Sequence, residues 1–236
     1  MSTMHGARGR TGSVESTGRP EQIQYQKLFM RTILASFTHE LRNRLAVVKE
    51  IAGLQQDIIA IDRSVKDISG LVQALRSVDG HVGNALRLTS VLNRFTHRLD
   101  TERSVFCVQE VLEELIDLVK RTAEEKRVGL ETDFEPSLPP VSGDPARLQM
   151  LVFFLLDESL CSLEQGGSVL VRMTEHPPGI MIRIIPHGRR HAGGGSGGRC
   201  PREILLSVAG DIGAEISTGG VEQETSILLR RQELFP

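Results

Sequence analysis

The stretch LASFTHELRNRLAVVKEI, residues 34–51, places an apolar side chain at every third or fourth position: Leu34, Phe37, Leu41, Leu45, Val48 and Ile51. Steps of three and four predict one continuous amphipathic helix whose apolar stripe is close to a coiled-coil seam. No proline occurs between Pro20 and Pro136, so no ring interrupts the backbone there. A second stripe follows at Ile68, Leu71, Leu75, Val78, Val82, Ala85, Leu92, Phe95 and Leu99. Between the stripes, Ile61-Asp62-Arg63-Ser64 offers Asp62 or Ser64 as the cap of a new helix. The pattern therefore predicts an antiparallel hairpin with two long arms. Gly70, Gly80 and Gly83 weaken the second arm, each by up to about 1 kcal/mol against Ala. A lone hairpin cannot bury both stripes. Two hairpins from two chains form a four-helix bundle that can, so a homodimer is expected.

Outward from the hairpin the character changes on both sides. Residues 1–20 are Gly, Ser, Thr and Arg with almost nothing apolar, which predicts a disordered tail. From about Ser104 helices and strands alternate. Phe106 to Lys126 reads as a helix, and Val128 to Phe134 alternates like a strand. Pro136, Pro139 and Pro140 mark a loop. Asp144 is placed to cap a helix with Pro145 at its first position, running to about Leu163. Ser168 to Met173, Gly179 to Ile185, Ala214 to Thr218 and Ser226 to Arg231 read as strands, and Arg202 to Ala209 as a short helix. Residues 192–199 are dominated by glycine and predict a flexible stretch. The expected fold class is α+β: a hairpin over residues 21–103, then an α/β sandwich over residues 104–236, with the boundary near Asp100 to Ser104.

Composition narrows the function. The net charge is −2, which leaves no electrostatic footprint for nucleic acid. Hydrophobic residues make up 39% and charged residues 25%, the balance of a globular chain. Aromatic residues are only 4%, so the core has to be aliphatic. Three scattered cysteines, Cys107, Cys161 and Cys200, argue against a disulfide framework or a structural zinc site and fit a reducing compartment. The longest apolar run, Met150 to Leu156, is too short to span a bilayer, and the N-terminus lacks the apolar block of a signal peptide. No membrane role is expected, and the expected location is the cytoplasm.

The chemistry lies inside the first stripe. His39 stands two positions from each of Phe37 and Leu41, so its side chain should project away from the seam. Asn43 is one turn further on the same face, and Glu40 follows His39 directly. An exposed imidazole can attack phosphorus when its other nitrogen is held by an acceptor. A carboxylate beside it can act as acid or base, and an amide one turn away can orient water.

The string Phe37-x-His39-Glu40-Leu41-Arg42-Asn43-x-Leu45 resembles the phosphoacceptor box of two-component sensor histidine kinases. The resemblance extends from about Glu21 to the chain end, as a phosphotransfer hairpin followed by a GHKL-type ATPase fold. It implies that His39 takes the phosphoryl group, that Glu40 serves as acid/base, and that Asn43 helps to dephosphorylate a partner receiver. One departure lies inside the box: the proline that usually follows the Asn is Arg44, so the usual kink is not expected.

The C-terminal half departs further. Asp144-Pro-Ala-Arg-Leu-Gln-Met-Leu151 looks like the start of the family's first nucleotide-site helix, which should continue Asn-Leu-Leu-x-Asn-Ala. Here the run is Phe154-Leu-Leu-Asp157-Glu158-Ser159, with Glu158 where an Asn normally holds Mg²⁺. The adenine-reading Asp is replaced by Pro186, whose side chain accepts no hydrogen bond. The glycine cluster at 193–198 lacks the family's lid pattern.

The resemblance thus implies a phosphorelay protein that exchanges a phosphoryl group between His39 and an aspartate of a response-regulator receiver. It would be fed by an upstream kinase, with no cofactor of its own and with Mg²⁺ supplied by the receiver. The alternatives are a divergent autokinase using ATP and Mg²⁺, and a non-catalytic module that binds a regulator. His81 and His97 on the second arm are the reserve acceptors. His187 and His191 beside the glycine stretch are read as loop residues and not as metal ligands.

Overall fold

A computed structural model describes residues 18–61, 68–100, 103–191, 198–219 and 224–230. The expected tail over residues 1–17, the cap candidates Asp62 and Ser64, the glycine stretch at 192–197 and Arg231 lie outside the described residues.

Two long helices open the fold, α1 (Gly18–Ile61) and α2 (Ile68–Leu99), packed against each other as the hairpin. Helix α1 begins at Gly18, three residues before the expected start, with Pro20 in its first turn, where a missing N–H costs nothing. It runs through Arg44 without interruption.

The stripes are buried in a different order from the sequence reading. On α1 the buried side chains are Phe29, Ile33 and Phe37, while Leu34 and Leu45 of the expected seam are 40% and 52% exposed. On α2 they are Ala85, Leu88, Val91 and Phe95. The reason is that the lower half of the hairpin packs on the rest of the chain. Phe29 meets Phe95 edge-on with ring centroids 5.5 Å apart and Phe153 at 5.1 Å, and Tyr25 meets Phe154 at 6.1 Å. One hydrophobic core therefore runs from the hairpin into the C-terminal half.

That half contains β1 (Ser104–Phe106), α3 (Val108–Lys126), β2 (Gly129–Phe134), β3 (Val141–Gly143), α4 (Pro145–Ser162), β4 (Ser168–His176), β5 (Gly179–His187), α5 (Arg202–Asp211), β6 (Ala214–Gly219) and β7 (Glu224–Arg230). The fold class is α+β. Strands β2-β4-β5-β7-β6 form a five-stranded sheet in that order. Strand β2 runs parallel to β4, and the other neighbours are antiparallel. Val169, Val171, Met173, Ile180, Ile182, Ile184, Ile227 and Leu229 alternate onto the buried face, covered by α3, α4 and α5. Each such side chain contributes on the order of 1.5–3 kcal/mol of transfer free energy. The short pair β1–β3, antiparallel with Phe106 opposite Val141, has no sequence signal because three residues carry no periodicity.

Helix α4 starts as the sequence predicts. The Asp144 side chain accepts from the Arg147 N–H at 3.0 Å, and Pro145 fills the first position. Such a cap is worth about 1 kcal/mol. Helix α3 closes with Arg127 in the left-handed region at φ 57°, its N–H and that of Val128 turning back onto the last helical carbonyls.

All three cysteines are free. Burial pushes the Cys200 thiol up from its ordinary 9.0 to about 12. The folded chain therefore keeps this proton where the unfolded chain loses it. The contribution is full below about pH 9 and disappears as pH rises toward 12. At pH 8 Cys200 should resist iodoacetamide in the folded protein and react fully in denaturant, read by peptide mass spectrometry. Equal labelling in both conditions would show that the site is open.

Candidate functional site

His39 sits on the solvent side of α1, as its spacing from Phe37 and Leu41 requires, and Asn43 is exposed one turn further on. Glu40 is more enclosed, with its side chain 20% exposed. Both of its oxygens are held by arginines. Arg44 Nε donates to Oε1 at 2.7 Å, and Arg121 Nη1 donates to Oε2 at 3.3 Å. Arg44, the residue standing where a kink-forming proline was expected, is thus used as an i,i+4 ion-pair partner.

Arg121 comes from α3 in the C-terminal half. Its Nη2 lies 3.3 Å from His39 Nε2, and its Nε donates to Glu125 Oε1 at 2.8 Å. The sequence reading missed this residue. It is one of several arginines on helix surfaces, and 82 positions separate it from His39. No local pattern marks it.

The same face of α3 carries three more links to the hairpin. Glu114, only 5% exposed, accepts from Arg94 Nε at 2.7 Å and Arg98 Nε at 2.8 Å. Asp117 pairs with Arg87 at 2.5 Å. Ser36 Oγ donates to the Leu118 carbonyl at 3.2 Å. Glu114, Asp117, Leu118 and Arg121 are spaced by about one helical turn, so one edge of α3 is laid along the hairpin. Beside His39, an open groove of about 930 Å³ runs along α1, with Met30, Leu34 and Leu99 on its floor and Lys27, Arg31 and Arg42 at its rim.

The reserve acceptors are placed differently. His97 is exposed in the last turn of α2. His81 is half-buried, and its Nδ1 has no hydrogen-bond partner among the described residues. Among the described residues no group of three or more His, Cys, Asp or Glu could hold a metal ion.

Around Asp157 and Glu158 of helix α4, the chain meets itself. Asp157 is 2% exposed, and Arg199 Nε lies 3.2 Å from its Oδ2. This is a charge contact and not an aligned hydrogen bond, since Oδ2 has no hydrogen-bond donor. The Cys161 thiol points at Oδ1 at 3.8 Å, and Lys126 Nζ donates to that sulfur at 3.2 Å. Gly198 backs onto Glu158 closely enough that a Cβ there would lie 3.4 Å from the carboxyl carbon. Pro186 is buried in β5 opposite Val169, on the face that α4 covers and past the last β5–β7 pair, where its missing N–H is tolerated.

Three comparisons bear on this arrangement. The sequence is 27% identical over 154 residues to the adaptive-response sensory kinase SasA of Synechococcus sp. (strain JA-3-3Ab), covering 63% of this chain and 40% of that protein. It is 24% identical over 174 residues to the sensory histidine kinase/phosphatase NtrB of Escherichia coli O157:H7, covering 72% of this chain and 45% of that protein. The chain is a relative of the two-component sensor histidine kinases. It spans less than half the length of these curated relatives. No family model matches this histidine kinase relative. Among solved structures, the Acinetobacter baumannii histidine kinase AdeS aligns over 83% of this chain and 98% of its own, with a TM-score of 0.46 and 14% identity. A histidine kinase from Burkholderia phymatum STM815 aligns over 80% of this chain and 97% of its own, with a TM-score of 0.42 and 16% identity. Among the described residues no helix is long and apolar enough to cross a membrane.

Proposed function

We propose that this histidine kinase relative is a phosphorelay protein in which His39 exchanges a phosphoryl group with an aspartate of a response-regulator receiver. The observation that carries the reading is the solvent-facing imidazole on an unbroken helix, with Glu40 and Asn43 on adjoining positions and a guanidinium at Nε2. In this reading residues 21–103 are the phosphotransfer unit, Glu40 serves as acid/base, and Asn43 orients the water that attacks the receiver's phosphate. The groove beside His39, apolar at its floor and cationic at its rim, offers a landing surface for an acidic partner. Mg²⁺ comes with the receiver, an upstream kinase supplies the phosphoryl group, and the exchange takes place in the cytoplasm.

The C-terminal half does not fit Mg-ATP. Arg199 already neutralises Asp157, Glu158 adds negative charge where a triphosphate would lie, and Pro186 offers adenine no acceptor. Calorimetry with Mg-ATP should give a Kd weaker than about 1 mM, corresponding to a binding free energy weaker than about −4.1 kcal/mol. A micromolar Kd would overturn this and promote a divergent autokinase, the second reading, which the kinase names of the sequence relatives favour. The deciding experiment incubates the protein separately with labelled ATP and with a phosphorylated receiver. Acid-labile label on His39 from the receiver alone supports the relay. Label from ATP supports the autokinase, and label from neither leaves a regulator-binding module.

The protein acts as a homodimer in this reading. The far end of the hairpin leaves Leu54, Ile58, Ile61, Ile68, Leu75 and Leu86 each at least half exposed, alongside Leu45. A second copy of the hairpin would cover them. Replacing Leu45 and Leu54 by Glu should give monomers by light scattering, while an unchanged dimer would show that the bundle forms elsewhere.

A further inference from the structure

We infer that Arg121 is the residue that holds the phosphoryl group on His39, which rests on His39 being the acceptor proposed above. A guanidinium stays protonated at any working pH and can only donate. In the contact at 3.3 Å, His39 Nε2 is therefore the acceptor, and the ring proton is on Nδ1. The atom beside the guanidinium is thus the unprotonated ring nitrogen, whose lone pair becomes the nucleophile once the Arg121 hydrogen bond moves off it.

Arg121 is held in place before any phosphoryl group arrives. Its side chain is only 17% exposed. Glu125 takes its Nε, Glu40 takes one N–H of Nη1, and Nη2 faces the imidazole. The helix beneath it is tied to the hairpin through Glu114 and through the Ser36–Leu118 bond. Each terminal nitrogen retains a second N–H, so the guanidinium fork still has donors for phosphoryl oxygen. The cation also answers an electrostatic difficulty. A phosphoryl group on Nε2 arrives beside the Glu40 carboxylate, and Arg121 together with Arg44 neutralises that carboxylate.

The step balances as follows. The Nε2 lone pair attacks phosphorus, the N–P bond forms, and the P–O bond to the donor carboxyl breaks. Its electron pair leaves with the carboxylate oxygen. The ring keeps the Nδ1 proton and is cationic until a base takes that proton. The Nη2 hydrogen bond moves from the ring nitrogen to a phosphoryl oxygen, and Arg121 surrenders no proton.

The test uses potassium phosphoramidate, a small donor that needs no partner protein, on the full chain and on Arg121→Gln and Arg121→Lys. Phosphohistidine formation at His39 is followed by ³¹P spectra, and the wild-type tautomer is read from long-range ¹H–¹⁵N spectra. Arg121→Gln should slow formation roughly 10- to 100-fold, the scale of losing one preorganised donor. Arg121→Lys should recover only part, because an ammonium supplies charge without the fork. An unchanged rate in Arg121→Gln, no label on wild-type His39, or an Nε2–H tautomer in the wild type would each overturn the assignment. A phosphorylated receiver is run in parallel. If it fails to label the wild type while phosphoramidate labelling depends on Arg121, the relay falls and Arg121 keeps its role. If it labels Arg121→Gln as fast as wild type, the relay stands and the assignment falls.

Discussion

His39→Ala is expected to reduce phosphoryl acceptance from a receiver to background, a loss on the order of 10³-fold or more, as for removal of any attacking group. The fold should be almost untouched. The imidazole is exposed, and its polar contact is with the Arg121 guanidinium, which keeps Glu40 and Glu125 as partners. Surface substitutions of this kind usually change stability by less than about 0.5 kcal/mol. The measurement is acid-labile label per chain, beside a thermal melt of the same preparation. Retained label with an unchanged melt would move the acceptor to His97 or His81. Of these, His97 is the more accessible, being exposed while His81 is half-buried.

Phe95→Ala should have the largest effect on stability, about 3–5 kcal/mol. Phe95 is 0% exposed and meets Phe29 edge-on, and Phe29 in turn meets Phe153 of α4. The ring therefore joins both arms of the hairpin to the C-terminal half. Against a typical total stability of about 5–15 kcal/mol, the loss would be a large fraction. Urea denaturation should show a lower midpoint. A loss below about 1 kcal/mol would mean that the hairpin and the C-terminal half do not share this core in solution.

The helical stripes and the box around His39 were legible because both depend on local spacing. A three-four repeat fixes which side chains share a face, and that rule placed His39 and Asn43 outward without any tertiary information. The Asp144–Pro145 start of α4 was legible for the same reason, since a cap acts within one turn.

Periodicity does not say what covers a face. Leu34 and Leu45 belong to the same repeat as Phe37, yet only Phe37 is buried within the chain. The difference arises because α3, α4 and α5 pack on the lower part of α1, a decision made by the shape and volume of the shared core. Glu40 likewise read as the carboxylate beside His39, with no sign in the spacing that Arg44 and Arg121 each hold one of its oxygens.

The sequence by itself determined the α+β class, the long hairpin and the outward face of His39 and Asn43. Only the tertiary structure decided that Arg121 meets His39 and that Arg199 meets Asp157, 42 positions apart in the chain. Charges act through space over a few ångströms, while the chain separation between such partners is unconstrained, so no local pattern can record them.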